Sequence, residues 1–201
     1  FQGLLGVPAN IHANITNYVS SFSSNVRDVF ERFSFQAQVD RLSEANLLYM
    51  VTQKFSAIDM HPNVVSNADM GAMFEELIRK FAELSNETAG EHFTPREVIK
   101  LMVNLLFNAE DTVLSGEGVL RKIYDPTAGT GGMLSVAEEY LTRMNPESRL
   151  VLHGQELNPE SYAICKADML IKGQDISNVI LGNTLSEDGM VGKTFDFMLS
   201  N

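Results

Sequence analysis

The stretch Asp125-Pro126-Thr127-Ala128-Gly129-Thr130-Gly131-Gly132 constrains the fold of this chain more than any other. It follows a short apolar run, Val119–Tyr124, and precedes a helix-forming segment, Met133–Met144. A strand, a glycine-rich turn and a helix in that order bring the free N–H groups of a helix start to the end of a strand. Glycine there lets backbone approach a ligand with no Cβ in the way. Further strand candidates are Arg149–Gln155, Asn178–Leu181 and Thr194–Leu199, and a second helix, Pro159–Lys172, is capped by Asn158. Short apolar strands alternating with helices imply right-handed βαβ units and a mostly parallel sheet. Ligands of such sheets sit at the carboxyl ends of the strands, near a switch point. The glycine loop, Glu156, Asn183 and Asn201 all fall at or just past strand ends, so the four are expected to converge on one crevice.

Residues 1–87 read as an α-helical region and residues 88–201 as the α/β part. Ser43–Ile58 reads as one helix with Leu47, Leu48, Val51, Phe55 and Ile58 on a face. Asp69 is expected to cap the next helix, where Met70, Met73, Phe74, Leu77, Ile78, Phe81 and Leu84 form a wide apolar stripe. Thr94-Pro95-Arg96-Glu97 is a helix-start signature, with Thr94 accepting from the third N–H, Glu97 reaching back and Pro95 at the first position.

Composition narrows the function. The net charge of −11 makes the chain by itself a poor nonspecific binder of nucleic-acid backbone, a task that rests on Lys and Arg. If the substrate is nucleic acid, other residues or another subunit must supply most of the grip. The single cysteine, Cys165, forms no internal disulfide and fits a reducing, cytoplasmic setting. No apolar run approaches the ~18 residues of a membrane span and nothing resembles an export leader, so no membrane is expected. His12, His61, His92 and His153 have no ligand spacing, so no metal is expected.

The loop's chemistry selects among nucleotide-like ligands. A dinucleotide fold prefers Gly-x-Gly-x-x-Gly with pyrophosphate on the helix start. Here Gly129-x-Gly131-Gly132 follows Asp125, whose carboxylate suits an ammonium group better than a pyrophosphate. That favours S-adenosyl-L-methionine, which carries an ammonium and a sulfonium and no phosphate; the plain alternative is a tight structural turn. Glu156, after the next strand, stands where an acid commonly holds ribose hydroxyls, or is a solvated loop acid. In Glu91-His92-Phe93-Thr94-Pro95-Arg96, Thr94, Glu91 and the helix-start N–H groups suit the cofactor's carboxylate end, and Phe93 its adenosine; the alternative is a loop entering a capped helix. Asn183 offers a donor and an acceptor to an adenine edge, or is a turn residue.

Together, Asn86-Glu87-Thr88-Ala89-Gly90-Glu91-His92-Phe93-Thr94-Pro95-Arg96, then Asp125 to Gly132, then Gln155-Glu156 and Gly182-Asn183-Thr184-Leu185, resemble the modification subunit of type I restriction-modification systems, an N6-adenine DNA methyltransferase. Phe74-Glu75-Glu76-Leu77-Ile78-Arg79 is similar to the family's helical region. The resemblance implies a SAM-dependent methyltransferase, Rossmann-like mostly parallel sheet preceded by an α-helical domain. It implies cofactor contacts from Glu91, His92, Phe93, Thr94, Pro95 and Arg96, from Thr127, Ala128 and Gly129, and from Glu156. It also implies a catalytic Asn-Pro-Pro-Phe or Asn-Pro-Pro-Tyr motif after the fourth strand, whose first residue Asn201 matches; the chain stops there, and by itself is expected to transfer no methyl group. The implied partners are DNA (through the complete complex), a DNA-specificity subunit, an endonuclease/translocase subunit and a second modification subunit. The other readings are a nucleotide-linked oxidoreductase, a SAM-dependent methyltransferase with another substrate, and a non-catalytic partner-binding module.

Overall fold

A computed structural model describes residues 2–84, 94–108 and 114–201. The chain packs as two units, Phe1–Asp69 and Met70–Asn201.

In the first unit, two short 3-10 turns, Gln2–Leu5 and Pro8–Asn10, lead into α1 (Ile11–Ser20), α2 (Ser24–Arg32), α3 (Phe35–Glu44) and α4 (Leu48–Ser56). Its small core is Ile11, Ile15, Val39 and Leu48. The single helix expected over Ser43–Ile58 is broken, because Asn46 turns left-handed at φ +56° between α3 and α4. Asn tolerates that conformation better than most side chains. Within α4 the apolar stripe is only partly covered: Leu48 at its start is buried, whereas Phe55 near its end and Ile58 beyond it are exposed.

The next helix, α5 (Asn67–Leu84), starts ahead of the expected cap. Ser66 is the capping residue: its hydroxyl accepts from the Asp69 N–H at 3.1 Å and donates to the Asp69 carboxylate at 2.6 Å. The Ser66 hydroxyl thus satisfies one free N–H of the first turn, and the Asp69 carboxylate fixes that hydroxyl in place. The apolar stripe of α5 is split, with Phe74 and Ile78 half-buried and Met73 and Leu77 exposed; the side chains of Phe81 and Leu84 lie outside the described residues.

The second unit is built on a four-stranded parallel sheet. Its strands are β1 (Leu120–Asp125), β2 (Arg149–Glu156), β3 (Val179–Leu181) and β4 (Phe197–Met198), in the order β3-β2-β1-β4. Helix α7 (Gly132–Met144) carries the chain from β1 to β2, and α8 (Pro159–Ile171) from β2 to β3. The chain then crosses to the far side of β1 to form β4, so the order reverses there and opens a crevice at the carboxyl ends. Ile123 and Leu152 face the helices and share a core with Leu134 and Leu141 of α7 and with Val103 and Phe107 of α6 (Arg96–Asn108).

Strand residues alternate between faces, and the paired Tyr124 and His153 carry the other one. Phe195 stacks on Tyr124, with ring centroids 4.7 Å apart, and meets His153 edge-on at 5.0 Å. Burial lowers the His153 pKa, helped by Lys193 and Lys122. Gln155, 1 % exposed, straps the β3–β4 connection: its amide donates to the Glu187 carbonyl at 2.9 Å and accepts from the Gly189 N–H at 3.1 Å.

Candidate functional site

At the carboxyl ends of β1 and β2 lies a cleft of about 410 Å³, lined by Thr94, Ile99, Asp125, Thr127, Ala128, Gly129, Thr130, Gly132, Met133, Glu156, Asn158, Ser161 and Asn201. This is within the size range of small-molecule sites. The lining holds two carboxylates and, among the described residues, no Lys or Arg.

Local sequence explains the shape of the floor. Gly129 and Gly131 sit at φ +54° and +81°, where an L side chain is strained. Gly131 also lies directly over Cys165: a Cβ there would come within 2.5 Å of the thiol sulfur. The loop is tied down by the Ala128 N–H, which donates to the Gln155 carbonyl at 2.9 Å, and by the Gly131 N–H, which donates to the Ala128 carbonyl at 2.8 Å. Cys165 is wholly buried, and burial pushes its thiol far up, so it acts as packing.

Asp125 ends β1 and is only 2 % exposed. Its Oδ1 accepts from the Thr127 N–H at 3.0 Å and from the Thr127 hydroxyl at 3.4 Å. Burial is the main force on the carboxyl, and with the nearby Glu156 charge it outweighs Thr127 and pushes the pKa to about 7. Glu156 ends β2 with both oxygens oriented: Oε2 accepts from the Gly129 N–H and Oε1 from the Asn158 N–H, each at 2.7 Å. Each carboxylate oxygen has a second acceptor position left for a ligand hydroxyl. Asn158 caps α8 as expected, its Oδ1 accepting from the N–H groups of Glu160 and Ser161 at 2.8 and 3.1 Å.

Asn201 reaches the cleft from beyond β4. Its Nδ2 donates to the Thr94 hydroxyl at 2.9 Å, and its carbonyl accepts from the Thr127 hydroxyl at 3.0 Å. The Thr94 oxygen is thus engaged across the cleft with Asn201. The expected capping box is therefore corrected: α6 begins at Arg96, and the Pro95 carbonyl accepts from the Val98 and Ile99 N–H groups.

Of the residues singled out from sequence, Thr94, Asp125, Thr127, Ala128, Gly129, Glu156 and Asn201 meet in this one cleft. Three do not. Pro95 and Arg96 face other pockets, and the Arg96 guanidinium is held by Glu75 and Glu139. The expected convergence also fails for Asn183, which is outside the lining: its Oδ1 accepts from the Leu185 N–H at 2.9 Å, and the neighbouring Thr184 hydroxyl donates to the Pro126 carbonyl behind the loop at 2.6 Å. Glu91, His92 and Phe93 lie outside the described residues. Ile99, Thr130, Met133 and Ser161 line the cleft without having been singled out; the first-turn positions of α7 and α8 are the one sequence signal that pointed to Met133 and Ser161.

A parallel sheet with a switch-point cleft, acidic at two strand ends and glycine-floored, defines a Rossmann-like domain. The fold is similar to those of solved methyltransferase structures. The methyltransferase subunit of the type I restriction-modification system from Streptococcus thermophilus superposes with a TM-score of 0.70 at 24 % identity, over 99 % of this chain and 42 % of that one. A Listeria monocytogenes protein assigned to the class I S-adenosylmethionine-dependent methyltransferases gives 0.61 at 16 % identity, over 100 % of this chain and 58 % of that one. In sequence, the chain is 26 % identical over 90 % of its length to the type I restriction enzyme MjaIX methylase subunit of Methanocaldococcus jannaschii, and it spans 30 % of that relative's length. Residues 65–201 match the N-6 DNA Methylase family, and the chain belongs to that family.

Proposed function

We propose that this chain forms the cofactor-binding part of a type I modification methyltransferase, taking S-adenosyl-L-methionine in the cleft and serving methylation of adenine N6 in DNA. The observation that carries this reading is the charge of the cleft. Two carboxylates, Asp125 and Glu156, and no described cation make it hostile to a pyrophosphate and receptive to a cationic ligand bearing a diol. In a nucleotide-linked oxidoreductase the pyrophosphate would lie on the helix start, where the Asp125 carboxylate opposes it.

The residues present fit the group. Asp125, buried and short of compensating charge, gains from an ammonium beside it. Glu156, aimed by two backbone N–H groups, accepts the ribose hydroxyls. Gly129 admits the ligand along bare backbone. The cofactor supplies the methyl group from its sulfonium. Thr94 holds the amide nitrogen of Asn201, which turns the amide oxygen toward the role of acceptor for an exocyclic amine. An adenine must leave the base stack to reach such a site. Positioning and fixed dipoles then carry the acceleration.

Membership of a type I complex, with a DNA-specificity subunit, an endonuclease/translocase subunit and a second modification subunit, belongs to the same proposal; the acidic net charge of −11 supports it, since the grip on DNA must then come from elsewhere. Calorimetric titration tests the site. S-adenosylmethionine should bind and NAD should not. Glu156→Ala should weaken the binding by roughly 1–3 kcal/mol, the scale of hydrogen bonds to a charged acceptor. Equal affinity of wild type and variant would reject the ribose assignment.

A further inference from the structure

Arg96 begins α6 at the edge of the cleft, yet it spends its charge on the opposite side. One terminal nitrogen donates to Glu75 Oε2 of α5, and the other donates to Glu139 Oε2 of α7 at 2.9 Å. Lys172, just past α8, completes the cluster. Its ammonium donates to Glu75 Oε1 at 2.6 Å, and to Asp168 Oδ2 and Ser135 Oγ at 2.7 Å. Burial opposes the Lys172 charge, but Asp168 and Glu75 outweigh it and hold the ammonium protonated. Two cations and three carboxylates therefore bind four helices at one point.

This cluster stands immediately behind the cleft wall. A small, mostly apolar cavity of about 40 Å³ separates them. Thr94, Ile99, Thr130 and Gly132 line both the cavity and the cleft, whereas Glu75, Arg96 and Asp168 line the cavity and not the cleft. The wall is thus a single layer of residues. Thr94, two positions before Arg96, is the wall residue that holds Asn201. A guanidinium that places one terminal nitrogen on each of two carboxylates from different helices fixes the backbone that carries it.

We propose that Arg96 is a positioning residue: its bridge between Glu75 and Glu139 fixes the start of α6 so that Thr94 presents its hydroxyl to the cleft, and Arg96 thereby sets cofactor affinity through Thr94 without touching the ligand. This inference rests on the cofactor reading of the cleft. It differs from the direct contact that the family resemblance implies for Arg96.

A double-mutant cycle separates the two. Calorimetric titration with S-adenosylmethionine is run on wild type, Arg96→Ala, Thr94→Val and the double variant. Each single change should weaken binding about tenfold, and the double variant should bind no worse than the weaker single variant. A double variant weakened by the product of the two effects, about a hundredfold, would overturn the inference, because Arg96 would then contribute independently of Thr94. Full affinity in Arg96→Ala would overturn it as well. Should Arg96→Ala fail to fold, Arg96→Lys takes its place in the same cycle, with a smaller loss that likewise vanishes in the Thr94→Val background. Wild-type protein that takes up no S-adenosylmethionine would remove the cleft reading and this inference together; wild-type binding with additive variants removes this inference alone.

Discussion

Replacing Asp125 by Asn isolates the price of burying an acid at the floor of the cleft. The carboxyl is displaced from 3.8 to about 7, a shift of about three pH units. At ~1.36 kcal/mol per unit, the ceiling on the linked free energy is about 4 kcal/mol. The sign follows from proton binding. Below about pH 4 both folded and unfolded chains hold the proton, and Asp125 adds no pH dependence. Between about pH 4 and 7 the unfolded chain has released it while the folded protein retains it, so stability falls as pH rises; above about pH 7 the penalty is constant. Asn keeps an oxygen for the Thr127 N–H, now at 3.0 Å, and never ionises. Urea denaturation at pH 4.5, 6 and 8 should therefore show Asp125→Asn gaining on wild type by up to several kcal/mol as pH rises. The same variant should lose affinity for S-adenosylmethionine, a trade of function against stability. A stability difference that stays flat with pH, or grows toward acid, would refute the reasoning.

Two further outcomes follow from the floor and flank of the cleft. Gly131→Ala places a side chain at φ +81° and a Cβ 2.5 Å from the Cys165 sulfur; backbone strain and overpacking together should cost about 2–4 kcal/mol in urea denaturation, and a loss below about 1 kcal/mol would contradict the packing described. Asn158→Ala removes the acceptor for the Glu160 and Ser161 N–H groups and should cost about 1 kcal/mol by the same measurement; an unchanged midpoint would show the cap to be idle.

The strand and helix alternation of the second half was legible because each strand is a short apolar run bounded by turn residues. Arg149–Gln155 became β2 Arg149–Glu156, and Met133–Met144 became α7 Gly132–Met144. The run Thr194–Leu199 shrank to Phe197–Met198, since only Ile123 and Tyr124 of β1 pair with it. The convergence of the glycine loop, Glu156 and Asn201 was readable because carboxyl ends of parallel strands share one edge. What was not readable depends on contacts between distant residues. Nothing in the neighbourhood of Arg96 reveals that Glu75 and Glu139 will claim its guanidinium. Nothing near Thr94 reveals that its oxygen will serve Asn201 and not the helix start. In the first half, the α3–α4 break rests on one left-handed Asn46, which the apolar periodicity beginning at Leu47 does not register.

A crystal structure of the protein with S-adenosylmethionine diffused in tests the central claim most directly. The account predicts density in the cleft, with the ammonium beside Asp125, the ribose hydroxyls on Glu156 and the chain of Gly129 against the ligand. Ligand density at any other place, or a filled cleft in which Asp125 and Glu156 make no contact with it, would contradict the account.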